Sequence, residues 1–350
     1  MRTRCGSWIC LFSVSLLSGF AQQNRPADHS ITLDVAVTDK AGKPVAGLEQ
    51  QDFTLLDNKQ PQKILSFQAV GGAAPAGPPV EVVLMVDEVN TPFSRVAIVR
   101  EQIEKFLGQN GGALALPVSV AVLDDSGKIV RTPVTRDGKA LIADLEQADF
   151  GLRSIRKSVQ GIFGAEDQQR ISLQGLGQLT DYETATPGRK LVVWLSPGWP
   201  LFFGLSTQLS SKDQQGIFSS VVAFSDEMRR ARITLSNVDP GGATEGEMHM
   251  SDFEQFFKGV KKPGQVALGD LGLQPLAHRT GGRILEASND LAGEIAICVQ
   301  DGTAYYVLGF EGLPGDGPNE YHELEVKVDK PKLTVRTQSG YYAQPFRQAQ

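Results

Sequence analysis

VVLMVDEVNTPF, residues 82–93, decides how this chain is read. Five apolar residues, Val82 to Val86, run without a polar break, and Asp87 closes the run. A continuous apolar run fits a strand buried on both faces, as in a parallel sheet, and not the alternation of a half-exposed one. Asn90 and Thr91 follow. Pro92 is then placed to open a helix, because its fixed φ and missing N–H suit a first turn. Val96, Val99, Ile103, Phe106 and Leu107 recur at helical spacing, which predicts a helix over 92–107. A strand that ends in a carboxylate and hands over to a helix lies where open α/β sheets place their ligands.

The same grammar repeats downstream. PVSVAVLD (117–124) reads as a strand, GKALIADLEQA (138–148) as a helix and 165–184 as another. RKLVVWLS (189–196) is a strongly apolar strand. Residues 212–231 form a long helix with a basic last turn, as the helix dipole favours. RITLSNVD (232–239) is a strand, LAHRTGG closes a helix with two glycines, RILEAS is a short strand and NDLAGEIAICVQD a last helix. Strands alternating with helices predict an α/β fold over 80–301, an open, mostly parallel sheet with helices on both faces.

Both ends of the chain are β in character. SITLDVAVTD alternates, with Ile31, Leu33, Val35 and Val37 on one face. DNKQPQ reads as a turn between strands near 53–55 and 64–67, and GGAAPAGPP (71–79) as a linker. After residue 302 come TAYYVLGFEG, YHELEVKVD and KLTVRTQSGYY. Each end is too small to hold a core alone. The economical reading is one small antiparallel β-sandwich built from 30–70 and 302–345, with the α/β domain inserted; two independent β units are the rival.

Residues 1–21 differ from the rest. Arg2 and Arg4 precede an apolar run from Trp8 to Phe20, and small residues surround Ala21. This reads as a cleavable signal peptide, which predicts a secreted or periplasmic protein without a membrane span once it is cut. An uncleaved anchor is the rival. The chain has 34 Lys+Arg against 40 Asp+Glu, a formal net charge of −6, which argues against nucleic acid and anionic membranes as partners. Of three cysteines only Cys298 lies beyond the leader, among apolar neighbours, so an inert buried thiol is expected.

Asp87, then Asn90 and Thr91, then a helix, is similar to the metal-ion-dependent adhesion site of von Willebrand factor type A (VWA) domains. Further blocks, in order, resemble the VWFA-related acidobacterial domain family of exported bacterial proteins: ITLDVAVTDKAGKPVAGLEQQDFTLLDNKQPQKILSF, LAHRTGGRILEA, AYYVLGF and VRTQSGYYA. The resemblance covers nearly all of the chain beyond the leader. It implies a VWA-like fold and a D-x-S-x-S ligand set at 87, 89 and 91. Asp87 is present, Val89 replaces the first serine, and Thr91 keeps a hydroxyl. Asn90 is out of register, and Pro197 stands where the family has an acid, next to Ser196. Mg²⁺ asks for six oxygens in octahedral array. The implied site, Asp87 and Thr91 with Asn90 and Ser196 as further candidates, is therefore degenerate and holds Mg²⁺ weakly if at all. No other cofactor is expected.

The loop SPGWPLFFG (196–204) gathers Trp199, Leu201, Phe202 and Phe203 between prolines and glycines. Trp199, Phe202 and Phe203 are expected to contact a partner, because exposed aromatics beside a cleft are what interfaces use. The alternative is that they fold under the loop and cap the sheet edge. Chemistry is poorly supplied by contrast. Ser154-x-x-Lys157 has no S-D-N or K-T-G companion, and the four histidines include no H-E-x-x-H. His249 lies in a polar segment with Glu245 and Glu247 that reads as a surface insertion. The expectation is a non-enzymatic, adhesion-type protein that binds another protein or a surface polymer. A structural component of an envelope assembly and an enzyme of unrecognised type remain open.

Overall fold

The computed structural model describes residues 30–72, 79–147, 162–200, 209–241 and 250–345. The strands β1 (Ser30–Thr38), β2 (Phe53–Asp57), β3 (Gln60–Gln62) and β4 (Ser66–Val70) come first. The middle of the chain runs β5 (Val80–Asp87), α1 (Phe93–Leu107), β6 (Ala113–Leu123), β7 (Ile129–Arg131), β8 (Thr135–Asp137), α2 (Gly138–Gln147), α3 (Ile162–Thr184), β9 (Arg189–Leu195) and α4 (Ser211–Arg230). It continues with β10 (Ile233–Val238), α5 (Met250–Phe253), α6 (Leu273–Arg279), β11 (Ile284–Leu285) and α7 (Leu291–Gln300). The last strands are β12 (Tyr305–Glu311), β13 (Glu320–Val328), β14 (Thr334–Arg336) and β15 (Gly340–Ala343).

The middle segment is an α/β layer. Its sheet has the order β11-β10-β9-β5-β6-β7, with β8 also on β6. The five strands from β11 to β6 are parallel, and β7 and β8 run against them. Apolar residues fill both faces of β5, and the alternation sorts them. Val82, Leu84 and Val86 meet α1, α2 and α7, while Val83 and Met85 meet α3, α4 and α6. Strand order reverses at the β5/β9 pair, so the ends of those strands flank the crevice of the sheet. The strands β7 and β8, each paired with β6, are absent from the reading of the sequence, because three-residue strands around Pro133 are too short to show a period.

The chain ends build two four-stranded antiparallel sheets, β14-β1-β12-β4 and β15-β13-β2-β3. Each mixes strands from both ends, and they face one another across one core. Ile31, Leu33, Val35 and Val37 meet Phe53, Leu55, Leu324 and Val326 there. One local expectation is corrected. DNKQPQ is a two-residue hairpin turn, with Asn58 and Lys59 at φ of 47° and 67°, followed by the edge strand β3. Positive φ at both central residues matches the twist of the flanking strands, and an edge strand tolerates Pro61. KLTVRTQSGYY is two strands, β14 and β15, lying in different sheets.

The sandwich is fastened to the α/β layer by buried polar contacts. Asp301, just past α7, accepts two hydrogen bonds from Arg283 and two from Arg336 of β14, at 2.8–2.9 Å. Burial alone would raise the Asp301 carboxyl; the two guanidinium groups outweigh it and hold the group below its ordinary range. Arg232 pairs with Asp34 of β1, and Tyr321 and Tyr342 pack on Phe218, Val221 and Val222 of α4. Val70 and Tyr305, which bound the inserted segment, are register partners in the β4/β12 ladder.

Candidate functional site

Asp87 ends β5 at the reversal point, and its side chain is wholly buried. The tight turn after it aims backbone N–H groups at the carboxylate, so Oδ1 accepts from Val89 N and Asn90 N, both at 3.0 Å. Oδ2 accepts from Asn90 Nδ2 at 2.8 Å, Trp194 Nε1 at 2.9 Å and Trp199 Nε1 at 3.3 Å. Five N–H donors thus converge on one carboxylate. The two indoles meet edge to face, with centroids 5.4 Å apart at 76°. Indoles and amides are donors at these atoms and cannot also ligate a cation. A metal at Asp87 would have to displace N–H groups that now face the charge.

The other metal candidates do not converge on it as ligands. Asn90 touches Asp87 as a donor, through Nδ2. Thr91 is 4% exposed, and its Oγ1 is buried without a hydrogen-bond partner among the described residues. Ser196 Oγ accepts from Gly198 N at 3.2 Å, inside its own turn. Asn237 Nδ2 pins that turn by donating to Ser196 O at 2.8 Å. Among the described residues no group of three or more His, Cys, Asp or Glu is placed to hold a metal. His249, Glu245 and Glu247 lie outside the described residues.

Trp199 corrects the expectation of an exposed aromatic contact. It is fully buried, packed on Trp194 and bonded to Asp87, because an indole N–H inside a protein needs an acceptor and Asp87 supplies one. For this residue the loop folds under and caps the sheet edge. Phe202 and Phe203 lie outside the described residues. Trp194 was the residue missed from sequence. The signal for it was present: a tryptophan in a strand buried on both faces has to find an acceptor, and Asp87 ends the neighbouring strand.

Two further features surround Asp87. Glu88 is half-buried with a bare Oε1 among the described residues, and burial, then Asp124, Asp125 and Asp87, push its carboxyl up to about 7. On the side of α1 a cleft of about 410 Å³ opens, lined by Asn90, Ser94, Arg95, Pro197, Asp239 and Pro240 among others. Cys298 lies far from both in the core beneath α7, and burial pushes its thiol up to about 12, which leaves it inert.

No family model matches this chain, and no curated protein matches it. Among solved structures it is similar to the human COPII-coat protein Sec24c, at 9% identity and a TM-score of 0.36, over 77% of this chain and 44% of that one. It is also similar to the pilus adhesin SpaC from Lactobacillus rhamnosus GG in its open conformation, at 11% identity and a TM-score of 0.35, over 89% of this chain and 48% of that one. The chain thus spans less than half the length of either structure, and likenesses this loose carry no argument about fold or activity. Among the described residues no helix is long and apolar enough to cross a membrane.

Proposed function

We propose that this chain is an exported, non-enzymatic binding protein of the adhesion type. Its α/β layer is a VWA-like module in which the metal-ion-dependent site has given way to a metal-free one. The partner, a protein or a surface polymer, is met at the strand ends beside Asp87. The observation that carries this reading is the closed shell of five N–H donors around Asp87. A carboxylate that serves a metal keeps its lone pairs for the ion; this one spends them on fixing the loop that carries Asn90 and the turn that carries Trp199. The sandwich then acts as the base on which that face is presented.

Two measurements test the reading. Titration calorimetry with Mg²⁺ and Mn²⁺ is expected to give no saturable heat. Retention of the purified chain on an envelope fraction of its source cells is expected to be the same with and without EDTA. Saturable heat that Thr91→Val abolishes would restore the metal-dependent mechanism, and absence of any retention would remove the adhesion reading altogether.

A further inference from the structure

The joint between the sandwich and the α/β layer holds a narrow cavity of about 30 Å³. Its walls come from α4, α6 and the start of β10 on one side, and from β1, β13 and residues 338–340 on the other. Thr32 of β1 is part of the wall and exposed, so the cavity reaches the surface. Space of that size holds about two waters.

Three buried donors of the wall residues bond nothing among the described residues: Arg229 Nε of α4, Arg279 Nε of α6 and Ser339 Oγ. The rest of each residue is already committed. Arg279, 5% exposed, donates from Nη1 to Asp270 O at 2.7 Å, and from Nη2 to Asp270 Oδ1 at 2.9 Å and Phe256 O at 3.2 Å. Arg229 Nη2 meets Asp226 at 3.4 Å. The Ser339 carbonyl accepts from Leu324 N and Tyr321 Oη. Asp34, which also lines the cavity, is held by Arg232, whose Nε donates to it at 3.2 Å.

Buried donors without an acceptor are costly, and three in the walls of one space call for a ligand that accepts. Two of the three sit on guanidinium groups, which stay charged. A water accepts from two donors and brings two hydrogens of its own to place. An anion accepts from all three, brings none, and gains from the charge. We propose that this cavity binds a single small inorganic anion of halide size, chloride in ordinary media, held by Arg229 Nε, Arg279 Nε and Ser339 Oγ. A sulfate or phosphate would bring four oxygens into room for about two waters. The bound ion ties α4 and α6 of the α/β layer to the 338–340 segment of the sandwich, so its occupancy strengthens the joint. The site stands apart from the strand-end face and does not depend on the adhesion reading.

Thermal melts at fixed ionic strength test it, with potassium gluconate, whose anion is too large to enter, replaced stepwise by KCl or KBr. The Tm of the purified chain is expected to rise saturably by about 2–4 °C. Ser339→Ala and Arg229→Met each remove a donor that the fold leaves unused. Both are expected to keep the Tm seen in gluconate and to cut the halide rise about twofold or more; Ser339→Ala alone decides if Arg229→Met melts early. A rise that Ser339→Ala leaves whole overturns the placement. A rise with sulfate or phosphate and none with halides overturns the anion's size. No rise with any of these salts overturns the site.

Discussion

The two edges of the α/β sheet hold buried charges of opposite sign. At the carboxyl edge, Asp87 gathers five N–H groups. At the amino edge, Arg189 and Lys190 gather carbonyls instead. Lys190 Nζ donates to Glu183 O at 2.8 Å, to Thr186 O and to Ala231 O at 3.3 Å, at the ends of α3 and α4. Arg189, pointing to the other face, donates to Asp301 O beyond α7 at 3.0 Å and lies 4.3 Å over the Tyr305 ring. The two sites are built differently. The donors at Asp87 are two amides of the turn after β5 and three side-chain N–H groups. The acceptors at Lys190 are backbone carbonyls at and just past the ends of α3 and α4, where helix carbonyls are left without intrahelical partners and the helix dipole favours a cation.

The comparison is broken most directly at Asp87. Asp87→Ala leaves five buried donors without an acceptor and is expected to cost about 3–5 kcal/mol in urea unfolding. A near-neutral result would show that the indoles and the turn do not depend on the carboxylate. Lys190→Met keeps the stem and removes the charge, and is expected to cost less, about 2 kcal/mol, since carbonyls tolerate a lost partner better than N–H groups do. Equal losses at both edges would remove that asymmetry.

The smallest effect is expected at Glu88, where the donors run out. Its folded pKa, about 7, lies above its ordinary 4.5, so the folded state binds the proton more tightly. The stability this brings is full below about 4.5 and is lost as pH rises through 7. Glu88→Gln is expected to flatten stability over that window and to raise it at pH 8 by about 1 kcal/mol, a figure reduced for the exposed half of the side chain. Unfolding curves at pH 5 and pH 8 for both proteins check the sign.

The long elements were legible because burial writes them in a single period. Val82 to Val86 and Leu191 to Leu195 could only be strands covered on both faces, and Ile31, Leu33, Val35 and Val37 lie in the core their alternation predicts. What escaped was tertiary. Arg189 and Lys190 open an otherwise apolar strand, and nothing in its pattern marks them as buried, yet each is 1% exposed. What makes the buried Lys190 acceptable is a set of carbonyls, from Glu183 and Thr186 just before it and from Ala231, 41 residues on, which the strand pattern does not reveal. Trp199 escaped for the same reason: SPGWP has the composition of an exposed turn, and the acceptor that draws the indole inward is 112 residues away.

The pairing of Val70 with Tyr305 has a mechanical consequence. Both strands that bound the inserted segment are clasped side by side, so tension applied at residues 30 and 345 runs through the ladders of the sandwich and across its core. The α/β layer is inserted at this clasp, so the covalent path between the pulled ends does not run through its sheet while the β4/β12 ladder holds. Its strand-end face would thus keep its shape on a chain under pull, and the first structure to yield would be the β-sandwich.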